Sequence, residues 1–90
     1  MLVHVNITVS GKVQKIGFRF SAMQYAAENH ITGFVKNLEN GLVYIEAEGT
    51  QEYIDNYIEW CKTGPPWAVV KEISVETGEV KNFTSFDIIG

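Results

Sequence analysis

The residue types with chemical potential in this 90-residue chain concentrate in one decapeptide, GKVQKIGFRF, Gly11 to Phe20. It holds the chain's single arginine, Arg19, together with Lys12, Lys15, two glycines and no acid. A loop of this composition leading into a helix reads as a cradle for one phosphate-like anion. The first amides of a helix lack intrahelical partners, and the helix dipole places a partial charge of about +0.5 there. Glycines let backbone amides turn toward an anion and approach it closely. A guanidinium adds a planar fork that meets two phosphate oxygens at once. The same residues also fit an ordinary loop carrying a solvated arginine.

Other reactive side chains read as structural. Cys61 falls on the apolar stripe of a helix, as a small core residue and not a nucleophile. One cysteine and two distant histidines make neither a disulfide nor a metal set. His4 lies on the polar face of the first strand, under a helix or in solvent, and His30 ends the first helix, where a cation complements the dipole; neither is placed for catalysis. Glu46, Glu48, Glu52, Asp55 and Glu59 read as solvated faces. Trp60 and Trp67 flank a Gly-Pro-Pro turn and read as packing or surface aromatics. Ser21, in the first helical turn, could cap the helix or touch an anion.

The elements that must position this loop follow from hydrophobic periodicity. Val3, Val5, Ile7 and Val9 alternate with His4, Asn6 and Thr8, a strand with one buried face that Gly11 should end. From Phe20 the period becomes helical through Ala22, Met23, Ala26 and Ala27, stopping near Asn29–His30. Strands near 33–38 and 42–48 flank Asn40-Gly41, which predicts a two-residue type I′ hairpin. Thr50 is placed to cap a second helix, whose stripe is Ile54, Tyr57, Ile58 and Cys61. Gly64-Pro65-Pro66 stops it. Further strands are expected near 69–77 and 84–89. The order βαββαβ, with helices enough to cover only one face, predicts an α+β, ferredoxin-like sandwich. Its sheet would be mixed or antiparallel, four- to five-stranded, with both helices on one face.

Ninety residues make one domain with a modest core. No apolar run reaches the roughly 18–20 residues needed to cross a bilayer, and the N-terminus reads as a strand and not a signal peptide. A cytoplasmic location and no membrane contact are the expectations, with one cysteine fitting a reducing compartment. The net charge is −4, which disfavours nucleic-acid binding. The charge is unevenly spread: the first acid is Glu28, and from it onward four lysines stand against eleven acids. One basic end on an acidic chain suits a small anion better than a polyanion.

GKVQKIGFR resembles the first signature of the acylphosphatase family, which typically reads G-x-V-Q-G-V-G-F-R. GFVKNLENGLVYIEAEG is similar to that family's second signature, and GPP with the closing Phe83-x-x-Phe86 also looks like the family. The resemblance covers essentially residues 1–90 as one acylphosphatase-like domain. It implies a small ferredoxin-like enzyme that hydrolyses the carboxyl–phosphate bond of acyl phosphates, with no metal and no cofactor. Its partners would be a small-molecule acyl phosphate and inorganic phosphate as product or competitive inhibitor, acting on a monomer. By that likeness Arg19 binds the substrate phosphate, and the loop Gln14, Lys15, Ile16, Gly17, Phe18 and Arg19 supplies the rest of the cradle. Asn37 would orient the attacking water. Lys15 stands where the family usually has glycine. If the position needs positive φ, lysine there costs roughly 1–2 kcal/mol, or the loop shifts, with the side chain in solvent and turnover lowered. The resulting alternative is a phosphate-binding module with reduced or no turnover.

Overall fold

The computed structural model describes residues 1–90. The alternating N-terminal segment forms strand β1 (Leu2–Lys12), followed by α1 (Phe18–Glu28), β2 (Thr32–Asn37), β3 (Val43–Thr50), α2 (Gln51–Cys61), β4 (Val69–Gly78) and β5 (Phe86–Ile89). The five strands form one sheet in the order β4-β1-β3-β2-β5. All neighbours are antiparallel except β2 and β5, which run parallel. The sheet is therefore mixed, and the fold is the ferredoxin-like α+β sandwich.

Register places the apolar faces together. Val5 lies opposite Ala47, Ile7 opposite Ile45 and Val9 opposite Val43, while Val35 meets Ile45 from the other side. These residues join Phe18, Ala22 and Ala26 of α1 and Ile54, Tyr57 and Cys61 of α2 in one buried cluster. Both helices thus cover the same face. Small residues at 22 and 26 let α1 lie close to the sheet. The Tyr57 hydroxyl donates to the Ala22 carbonyl at 3.1 Å, which satisfies the one polar atom of a fully buried ring and ties α2 to α1. Cys61 is a buried thiol whose pKa is pushed up by burial, as a core residue requires.

Local details differ from the sequence expectations, each for a physical reason. Gly11 does not end β1. Its φ of 123° makes a bulge against β4, with the register shifting between Ser10 and Gly11. A Cβ there would stand 2.1 Å from the Val69 oxygen, so only glycine lets the two backbones pass so closely. The β2–β3 connection is not a two-residue type I′ turn. Of Asn40 and Gly41 only Gly41 has positive φ. The Leu38 N–H donates to the Leu42 oxygen and the Gly41 N–H to the Leu38 oxygen. This is the three-residue hairpin whose third residue is left-handed. Thr50 precedes α2 but makes no side-chain capping bond. In α1, Ala27 is exposed, and half-buried Tyr25 packs on Trp60 and Tyr57 instead.

The larger correction concerns the polar face of the sheet. His4 and Glu48 are 1% exposed and Glu46 is 7% exposed, so these are not solvated positions. Segment 79–85 crosses this face and closes it. Glu48 accepts from the His4 Nδ1 at 2.7 Å, from the Lys81 N–H and from the Phe83 N–H at 3.0 Å. Lys81 Nζ donates to Glu46 at 2.8 Å, and the Phe83 ring stacks on His4. Burial alone would raise the Glu48 pKa, but the Lys81 amide, His4 and the Phe83 amide outweigh it and hold the carboxyl below its ordinary 4.5. Glu46 is likewise lowered, burial being outweighed by Lys81 and Tyr44.

A carboxyl lowered in the folded state contributes stability that is complete above its ordinary pKa. That contribution is lost as pH falls through the folded value. Wild-type stability should therefore drop below the ordinary carboxylate range. Glu48→Gln should cost about 1–3 kcal/mol at neutral pH and flatten the acid limb. Urea denaturation at pH 7 and at about pH 3 measures both. Parallel losses in wild type and variant across that span would contradict the assignment.

Candidate active site

The loop between β1 and α1 is built from turn residues 14–17. Gly17, with φ 81° and ψ 14°, is the N-cap of α1, and no side chain caps the helix. The first turn contains no acid. The Ser21 N–H makes the first helical bond, to the Gly17 oxygen at 3.0 Å. The amides of Gly17, Phe18, Arg19 and Phe20 therefore stand outside the helical ladder, which leaves a positive backbone terminus. Phe18 is buried and anchors the loop, with its ring 5.5 Å from that of Trp60.

This helix start opens into a concavity of about 160 Å³ lined by Lys15, Gly17, Phe18, Arg19 and Asn37, with Val13, Phe20 and Ile88 as apolar walls. Two side chains separated by strand, helix and turn thus share one site. Arg19 comes from the first turn of α1 and Asn37 from the end of β2. Arg19 is half-buried, and its Nη1 donates to the Gly90 backbone oxygen at 3.3 Å. Asn37 Oδ1 is buried and accepts no hydrogen bond from the protein. A buried acceptor of that kind is costly unless something in the site uses it. The lining carries two cations and no carboxylate, thiol, hydroxyl or imidazole.

The six loop residues singled out in the sequence divide in two. Lys15, Gly17, Phe18 and Arg19 line the concavity, whereas Gln14 and Ile16 do not. Gln14 works as a brace. Its Nε2 donates to the Leu38 and Leu42 oxygens, both at 2.8 Å, which fixes the loop to the hairpin just beyond Asn37. Ser21 neither caps α1 nor lines the site. Lys15 answers the question its position raised. It takes the left-handed conformation itself, with φ 62°. The loop has kept the backbone a glycine would adopt freely and strained the lysine, and the side chain lines the concavity while remaining exposed. The expectation of a shifted loop is not met, while the side chain is solvent-exposed as expected.

Some contributors had little sequence signal. Phe20 and Ile88 are apolar residues left partly exposed at 58% and 39%, and both wall the site. Trp67, expected to be a packing or surface aromatic, donates its indole N–H to the Ile16 oxygen at 2.6 Å. A lone exposed tryptophan after Pro-Pro was the available hint, without a partner to assign.

Comparisons with known proteins converge on one family. The family model described as Acylphosphatase matches residues 5–88. The acylphosphatase of Archaeoglobus fulgidus is 40% identical over 87 residues, covering 97% of this chain and 98% of that protein. The solved acylphosphatase of Coxiella burnetii superposes with a TM-score of 0.94 at 38% identity, covering 98% of this chain and 93% of that one. That of Bacillus subtilis gives a TM-score of 0.94 at 34% identity, with both chains covered completely. With its two signatures brought to one uncapped helix start beside Asn37, and with this likeness over nearly its whole length, the chain belongs to the acylphosphatase family.

Proposed function

We propose that this protein is an acylphosphatase, hydrolysing the carboxyl–phosphate bond of acyl phosphates to a carboxylate and inorganic phosphate. One observation carries the reading: Arg19, the residues whose free amides begin α1, and Asn37 with its unpartnered oxygen line one small concavity that contains no carboxylate, thiol, hydroxyl or imidazole. Such an inventory suits a reaction that needs charge stabilisation and positioning more than proton transfer.

The phosphoryl group docks with its oxygens on the Arg19 fork and on the amides at the start of α1. Negative charge on those oxygens is stabilised by donors already in place. Asn37 Oδ1 accepts a hydrogen bond from a water and holds the water's lone pair in line with the bond to be broken. As the water oxygen bonds to phosphorus, the phosphorus–oxygen bond to the carboxylate breaks and the carboxylate leaves with the electron pair. It is a good leaving group and requires no general acid. The proton from water passes to a phosphate oxygen. Lys15 adds long-range attraction for the dianion at the mouth. The site is complete within one chain, which supports action as a monomer. The buried Cys61 thiol fits a reducing compartment such as the cytoplasm.

Steady-state hydrolysis of benzoyl phosphate, with inorganic phosphate as competitive inhibitor, tests the reading. Phosphate binding without turnover would overturn it in favour of a binding module. Lys15→Gly gives a finer prediction. Because the backbone already has the left-handed conformation, the variant should gain stability by up to about 1 kcal/mol. It should also raise KM, since an attractive charge is lost from an otherwise unchanged cradle. A higher kcat/KM in Lys15→Gly would show instead that lysine distorts the loop.

A further inference from the structure

The turn after α2 makes an unassigned contact with the cradle. Trp67 is 62% exposed, yet its single polar atom donates to the carbonyl oxygen of Ile16, 51 residues away, at 2.6 Å. The turn that carries it is firmly held. The Gly64 N–H donates to the Trp60 oxygen at 2.7 Å, and the Ala68 N–H to the Pro65 oxygen at 2.9 Å. Gly64 also sits so tightly under Phe18 that a Cβ would stand 2.5 Å from the ring. The turn therefore meets the loop twice, beneath Phe18 and at the Ile16 carbonyl.

The second contact has a directional consequence. In a trans peptide the carbonyl of one residue and the N–H of the next point opposite ways, and this chain has no cis peptide. Drawing the Ile16 oxygen toward Trp67 turns the Gly17 N–H to the other side, and Gly17 lines the concavity while Ile16 does not. The opposite orientation is otherwise accessible. Glycine tolerates either sign of φ, so the Ile16–Gly17 peptide could flip at little steric cost. A flipped peptide would aim a carbonyl oxygen at an anion.

We propose that Trp67 is a positioning residue of the cradle: its indole N–H selects the orientation of the Ile16–Gly17 peptide in which the Gly17 amide faces the substrate phosphate. This rests on the acyl phosphate reading above.

Trp67→Phe keeps an aromatic ring and removes the donor. The variant should bind inorganic phosphate about threefold to tenfold more weakly, with kcat/KM for benzoyl phosphate reduced to match. Its Tm should be unchanged, because the lost bond lies at the surface. In wild-type protein, amide NMR should show the Gly17 signal moving as phosphate is titrated, with a smaller movement in Trp67→Phe. Wild-type phosphate affinity in the variant, or a Gly17 signal that phosphate leaves unmoved in the wild type, overturns the proposal. A loss of affinity that scales with a fall in Tm also overturns it, as a merely structural effect. Wild-type protein that binds phosphate without hydrolysing acyl phosphates would defeat the catalytic reading alone, while no phosphate binding at all defeats both.

Discussion

Arg19→Ala is expected to lower kcat/KM for benzoyl phosphate by about 10²–10³, a loss of roughly 2.7–4 kcal/mol of transition-state stabilisation. The guanidinium is the only side chain in the concavity able to hold two phosphoryl oxygens at once. It is pre-placed by the first turn of α1 and by its bond to the Gly90 oxygen, so little reorganisation is needed at the moment of reaction. Because it binds the substrate phosphate and binds the transition state more strongly still, KM and inorganic phosphate affinity should worsen along with kcat. The fold should survive, since Arg19 is half-buried and contributes nothing to the buried core. Arg19→Lys should recover only part of the loss, because an ammonium supplies the charge but not the fork. Near-wild-type turnover in a folded Arg19→Ala protein would contradict the assignment.

Asn37→Ala is expected to cost a similar factor of about 10²–10³, distributed differently. If Asn37 acts on the attacking water, kcat should fall while KM and the phosphate inhibition constant stay close to wild type. Stability should hold or rise slightly, because the buried Oδ1 accepts no hydrogen bond from the protein and its removal leaves no partner stranded. A rise in KM with kcat preserved would move Asn37 from the water to the phosphate.

The limits of sequence reading here follow from the range of the forces involved. The β1 alternation and the stripe Ile54, Tyr57, Cys61 were legible because burial repeats with the local period of the element. The parallel pairing of β2 with β5 was not, since register between distant segments leaves no periodic trace. Glu46 and Glu48 misled for a related reason. Their alternation marked the polar face, but segment 79–85, which has no periodicity of its own, folds over that face and turns solvated positions into a buried hydrogen-bonded cluster. Asn40-Gly41 signalled a turn correctly and its type incorrectly, because Gly41 alone supplies the left-handed residue.

The site shows the same division. The cradle itself, glycines and a lone arginine ahead of a helix, could be read from residue chemistry. The pairing of Arg19 with Asn37 came from the family likeness, and the fold explains it: β2 ends beside the start of α1, with Gln14 bracing the loop to the following hairpin. Lys15 was legible as a departure, but its consequence depended on whether backbone or side chain would yield. The left-handed φ of 62° shows that the lysine took the strain. Trp67 was visible only as an exposed aromatic, since its single hydrogen bond spans most of the chain.

The central claim is that water attacks phosphorus directly in this cradle. A single turnover of benzoyl phosphate in water enriched with heavy oxygen, followed by mass spectrometry of both products, tests it most directly. The account predicts enzyme-accelerated cleavage with the label in inorganic phosphate and none in benzoate. Label in benzoate, or cleavage no faster than without the protein, would contradict it.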